Sequence, residues 1–158
     1  MNEIKCASCG KANLRAVRRE HTHTVGSQQF SAEIEVLECP NCGNRELTAE
    51  QMKTLERMAA LHIAQHGPVS GKTFRYMRRT AGIPAKEVAE AVGVAPETVS
   101  RWENGERDVD RSAWIGLALL VRDELLGATA FRSFLASLQE KPAKVVHLAP
   151  LPKRAKVG

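Results

Sequence analysis

Gly93-Val94-Ala95-Pro96-Glu97-Thr98-Val99-Ser100-Arg101-Trp102-Glu103-Asn104-Gly105 decides how this chain is read. Pro96 suits a first helical position, since it has no amide hydrogen to contribute there, and Gly93 permits the tight turn before it. On the helix so begun, Val99 and Trp102 are three apart and face inward, while Glu97, Thr98 and Arg101 fall together on another face. One side locks the helix against its neighbours. The other is free to meet a partner.

Upstream, Val88, Ala89 and Val92 mark a helix that ends at Gly93, and Phe74, Met77 and Ala81 mark an earlier one that ends at Gly82. Ala89 is small where the helix before the turn crosses the helix after it. Downstream, residues 110–126 place Trp114, Leu117, Ala118, Val121 and Leu125 on one face and Ile115, Leu119 and Leu126 on a further one. A helix apolar on more than one side needs more than one neighbour. Residues 129–139 add a single stripe of Phe131, Phe134, Leu135 and Leu138. The expectation is an all-α five-helix domain over 72–140, with enough surplus apolar area for a dimer interface.

Before this domain, Thr48-Ala49-Glu50-Gln51 has the form of a capping box, and Met52, Leu55, Ala59 and Ile63 continue at helical spacing until Gly67-Pro68 stops the run. Residues 48–66 therefore read as a connecting helix whose stripe packs on the N-terminal part or on the C-terminal domain, with pairing against a second protomer as the alternative. Gly67 to Gly71 reads as the linker. Residues 141–158 carry Lys141, Lys144, Lys153, Arg154 and Lys156 with three prolines, the pattern of a disordered basic tail.

Residues 1–47 hold all four cysteines, as Cys6-Ala-Ser-Cys9-Gly10 and Cys39-Pro-Asn-Cys42-Gly43. Two residues between sulfurs let one tight turn present both thiolates to one ion, and two such turns complete a tetrahedral site. The glycine after each pair fits a turn that bends backbone amides towards sulfur. Between the pairs, Leu14–Val25 and Phe30–Glu38 are strand-like, with Ala32, Ile34 and Val36 alternating and Gly26-Ser27 as the turn. The expectation is a zinc ribbon of residues 1–47 holding one Zn2+ per chain through Cys6, Cys9, Cys39 and Cys42. Four thiolates leave no open position for water, so the metal is structural and supplies folding free energy. The competing reading is a thiol redox sensor using the two cysteine pairs. His21 and His23 share a strand face but are not needed by a metal already bound by four sulfurs.

The chain has 158 residues, 43% of them hydrophobic and only 4% aromatic, which suits a compact domain plus a small one around an aliphatic core. No run reaches the roughly 18–20 apolar residues of a membrane span, and Met1-Asn2-Glu3-Ile4-Lys5-Cys6 does not resemble a secretory signal. A cytoplasmic protein is expected, one whose cysteines stay reduced. A net charge of +5 favours an anionic partner without identifying it. No paired carboxylates, nucleophile triad or phosphate-binding glycine loop stands out, so a non-enzyme is expected.

Arg78 to Gly105 resembles the Cro and phage-repressor (XRE-type) helix-turn-helix, on the combination of Ala89, Gly93, Val99 and Trp102. That resemblance implies that the N-terminal half of the helix begun at Pro96 enters the major groove of double-stranded DNA. Arg101 would then bond guanine O6 and N7, Glu97 would accept from cytosine N4, and the Thr98 methyl would meet thymine. Lys72, Arg78, Lys86 and Arg107 would contact phosphates. The bland alternative is an exposed Arg101–Glu97 ion pair. Ala85 departs from the family, which has a phosphate-contacting Gln there, and Ala95 stands where a Ser or Thr would cap the helix.

A four-cysteine ribbon, a connecting helix and an XRE-type domain in this order resemble the MqsA antitoxin family, whose N-terminal part is called the YgiT-type zinc finger. The fold so implied is α+β: a zinc ribbon with two CxxC knuckles, a connecting helix, then the five-helix domain. The resemblance further implies a homodimeric repressor of its own operon, binding a palindromic operator, with a small ribonuclease toxin held by the N-terminal part. The outward helix residues that read bases in the family align with Glu97 and Arg101. A regulator of this type without a toxin is the alternative.

Overall fold

The computed structural model describes residues 4–138. The tail expected over 141–158 lies outside them. An antiparallel hairpin, β1 (Arg15–Val25) and β2 (Gln28–Glu38), is extended by the short β3 (Arg45–Glu46) in the order β1-β2-β3. Val25 pairs with Gln28 and Arg15 with Glu38, so the Gly26-Ser27 loop sets the register of eleven residue pairs. Two arginines fix the free end of the sheet. Arg19 on β1 and Arg45 on β3 both bond Glu38 on β2 at 2.9–3.1 Å, and the Arg19 guanidinium, with Arg45 adding to it, holds that carboxyl below the usual range.

Six helices follow among the described residues: α1 (Ala49–His66), α2 (Gly71–Thr80), α3 (Ala85–Val92), α4 (Pro96–Glu103), α5 (Arg111–Leu126) and α6 (Ala130–Leu138). The expected connecting helix and five-helix domain are both present. Thr48 caps α1 as a complete capping box with Gln51, accepting from the Gln51 amide while the Gln51 side chain accepts from the Thr48 amide. Ser70 and Thr73 build a second box at the start of α2, which begins at Gly71 rather than after it. Gly71 is required by packing: a Cβ there would lie 2.0 Å from the Trp102 carbonyl oxygen, so the N-terminus of α2 can approach the end of α4 only without a side chain. Ala95 and Pro84 leave α4 and α3 without side-chain caps.

α1 unites the molecule because its buried stripe serves two cores. At its start Leu55 packs with Ile34 and Val36 of the hairpin; at its end Ile63 and Ala64 join Phe74, Met77, Val88, Val99, Trp102, Trp114, Leu117 and Val121. Val25 and Phe30, at the hairpin tip, also reach that larger core. Phe74 sits edge-on to Trp102 at 5.9 Å and tilted against Trp114 at 6.4 Å, which seats α4 and α5 on α2. Leu55 is 1% exposed and carries much of the smaller core. Leu55→Ala is expected to lower the unfolding free energy by about 2–5 kcal/mol in urea melts.

Candidate metal centre and nucleic-acid interface

Each cysteine pair lies on a turn of the same design. The Gly10 amide donates to the Cys6 carbonyl and the Gly43 amide to the Cys39 carbonyl, both at 2.9 Å, and both glycines hold positive φ of 64° and 72°. The Cys6 amide bonds Ala12 and the Cys39 amide bonds Asn44, closing each knuckle. β2 leads directly into Cys39, and the pairing of Arg15 with Glu38 brings the first knuckle, closed by the Leu14 amide donating to the Ile4 carbonyl, beside it.

Four sulfurs converge there. Cys6 Sγ lies 3.7 Å from Cys42 Sγ and Cys9 Sγ lies 3.6 Å from Cys39 Sγ, with all four ligand atoms within 4.8 Å of one another. A tetrahedron with zinc–sulfur bonds of about 2.3 Å has edges of about 3.8 Å, so the spacing fits zinc. It does not fit a disulfide, whose sulfurs are about 2.05 Å apart, and all four cysteines are free. The Lys11 backbone amide, with sulfur and Asn41 donors against some burial, pulls the Cys9 thiol down to about 6. At Cys42 the Asn44 amide lowers the value, but the Cys39, Cys6 and Cys9 sulfurs and burial together push it up to about 12. Four thiolates this close repel one another, and a divalent cation at their centre removes that conflict. Cys6, Cys9, Cys39 and Cys42 form a zinc-binding site for one structural zinc per chain.

The second candidate site is the outer surface of α3 and α4. Val99 and Trp102 are buried at 0% and 2% exposure, so α4 is fixed from below. Glu97 and Arg101 are exposed and Thr98 is half-buried beside them. Ion pairs in this region join Arg75 and Arg78 to Glu103 and Lys86 to Glu90; among the described residues none joins Glu97 to Arg101. Lys72, Lys86 and Arg107 are exposed. Arg78 is placed differently. Its guanidinium forks onto Glu103 at 2.5 and 2.9 Å and also donates to the Ile83 carbonyl at 3.0 Å, which ties α2 to α4 and to the turn before α3.

Comparison with known families agrees with this layout: the family described as "Antitoxin component of bacterial toxin-antitoxin system, MqsA" matches residues 4–130. The chain belongs to the MqsA antitoxin family. That match spans the zinc site, α1 and the α3–α4 unit, and it ends where α6 of this MqsA-family chain begins. No match is found among curated proteins. No helix among the described residues is long and apolar enough to cross a membrane.

Several site-shaping residues of this MqsA-family chain escape a reading by motif. His23 Nε2 lies 3.0 Å from Tyr76 Oη, and Tyr76 donates to the Glu56 carbonyl at 3.1 Å. With that proton committed, the phenol oxygen accepts from His23, which fixes the Nε2–H form of the imidazole. Burial, with help from the Glu56 carboxylate, pushes the Tyr76 phenol up to about 12, so it stays a donor at neutral pH. This bond joins the ribbon hairpin to α2. Asp123, 6% exposed, accepts from the amides of Phe131 and Arg132 at 2.9 and 3.0 Å and so caps α6 from the preceding helix.

Proposed function

We propose that this antitoxin-family chain is a cytoplasmic transcriptional repressor that binds a palindromic operator as a homodimer through α4. It neutralises a small ribonuclease toxin through residues 1–66. The observation that carries the DNA-binding part is α4 itself: its inner face is locked by Val99 and Trp102, while Arg101 and Glu97 stand exposed and, among the described residues, form no ion pair. Arg101 reads guanine, Glu97 accepts from cytosine and Thr98 meets a thymine methyl. Lys72, Lys86 and Arg107 take phosphates; the exposed Lys86–Glu90 pair, 3.8 Å long, is too weak to prevent this. Arg78 acts from beneath, holding α4 at its angle through Glu103.

The homodimer draws support from apolar surface that the described residues of one protomer leave exposed. Val69 and Ile115 are 56% and 49% exposed and line a cavity of about 650 Å³ together with Val109 and Leu119. Zinc plays no chemical part in this scheme. It holds the knuckles at the base of the hairpin that presents residues 1–66 to a toxin.

The test is selection of bound duplexes from a random library, followed by affinity measurement on the winning site and on unrelated DNA. Arg101→Ala is expected to lose about 1–3 kcal/mol on the selected site, roughly 5- to 150-fold, with little change on unrelated DNA. Equal losses on both would remove Arg101 from base reading. Co-purification with the protein encoded next to its gene tests the toxin part, and loss of that complex on removing residues 1–47 is the supporting result.

A further inference from the structure

His62 and His66 lie one helical turn apart on the last two turns of α1, both exposed, with ring centroids 4.6 Å apart and planes inclined at 45°. Imidazoles at i and i+4 share one helix face and can offer one nitrogen each to a single ion. At metal–nitrogen bonds of about 2.1 Å the two nitrogens must stand about 3–3.4 Å apart, which rings at this separation reach by turning inward. Two features favour a cation here. Phe30 of the hairpin packs edge-on to the His62 ring at 5.7 Å and narrows the range of orientations it samples, so less side-chain freedom remains to be lost when metal arrives. His66 ends an 18-residue helix, where the aligned carbonyls present partial negative charge.

We propose that His62 and His66 form a second metal site, separate from the four cysteines, for a borderline divalent transition-metal ion such as Ni2+. Imidazole suits that class, whereas Mg2+ and Ca2+ require oxygen donors. The protein supplies two ligands and water completes the shell. Arg111 and Arg122 line the same groove as His66 and oppose a cation, so binding is reversible rather than permanent. The ion staples the final turn of α1, where Phe30 of the ribbon meets the helix and the chain turns through Gly67 into α2. The site thus lies where the metal-bound ribbon and the helical domain join.

The experiment titrates Ni2+ into the zinc-loaded full chain by calorimetry while a chromogenic indicator watches for released zinc. One Ni2+ per chain is expected beyond the zinc, with affinity reduced about ten-fold or more in either His62→Gln or His66→Gln and retained in His21→Gln and His147→Gln. Binding to the native state alone also raises the melting temperature with Ni2+ concentration, an effect expected in the parent chain and lost in both single variants. Both substituted side chains are exposed, so the variants are expected to melt like the parent without Ni2+. Unchanged Ni2+ affinity in the two variants overturns the proposal. So does no uptake at all, loss of uptake only in a control variant, or uptake matched by zinc release.

Discussion

Removing zinc with a strong chelator is expected to unfold the knuckles while leaving the helices folded. Apparent binding free energies of structural zinc sites, about 10–16 kcal/mol at neutral pH, exceed what the small apolar cluster beside the hairpin can replace. That cluster is Ile34, Val36 and Leu55 with Val17, Ala32 and Leu47 against it. The loss has a boundary that the structure locates. Cys6, Cys9, Cys39 and Cys42 sit at the open end of the hairpin, whereas Val25 and Phe30 at the closed end pack into the helical core and His23 bonds Tyr76. Amide exchange is therefore expected to accelerate strongly in residues 4–14 and 39–47, less in residues 21–32, and little in α2 to α5. Cys39→Ser should reproduce this pattern without chelator, because three thiolates hold zinc far more weakly than four. If the proposed function holds, the same protein should lose toxin binding before operator binding. Retention of a protected knuckle after verified zinc removal would show that the metal is not what folds it. A redox-sensor reading makes the opposite prediction, since oxidation to disulfides would protect the knuckles in the chelated chain.

What could be read from the residues divides by the range of the interaction. Cysteine spacing with its trailing glycines, the Thr48–Gln51 box, Pro96 at the head of α4 and the Val99/Trp102 face are local patterns, each contained within a few residues, and the architecture follows from them. The start of α2 at Gly71 is not visible as a local pattern, because Ser70 pairs with Thr73, a box lacking the usual Glu or Gln, and because the need for Gly71 is set by Trp102 thirty-one positions away. The contacts that position the site are long-range. His23 meets Tyr76 across 53 residues, and Arg78 meets Glu103 across 25. Asp123 looks like any acidic residue in a helix until α6 folds back over it and presents two free amides. Arg78 shows the limit most plainly: a basic residue beside a helix that resembles a base-reading one suggests a phosphate contact, and only the tertiary fold reveals the carboxylate that it faces.

Arg78→Ala is consequently expected to act first on stability. Both partners are largely enclosed, with side-chain exposures of 14% for Arg78 and 8% for Glu103, so removing the guanidinium leaves a carboxylate without its counter-ion. Breaking such a pair typically costs about 3–5 kcal/mol; the effect here should fall towards the lower end, because Arg75 stays 3.9 Å from Glu103. Urea denaturation measures it directly. Replacing both members by apolar side chains, Arg78→Met with Glu103→Leu, should recover most of the loss, since the penalty arises from the stranded charge more than from the missing attraction. DNA binding then separates the two roles. If Arg78 held a phosphate, the double variant would bind all duplexes more weakly and its affinity would fall less steeply with salt, by about one unit of log–log slope. If Arg78 positions α4, the double variant keeps the salt slope of the parent. Its discrimination between the selected site and unrelated DNA then depends on how closely the apolar pair reproduces the original seat of α4. An unchanged urea midpoint in Arg78→Ala together with a shallower salt slope would return this residue to the phosphate backbone.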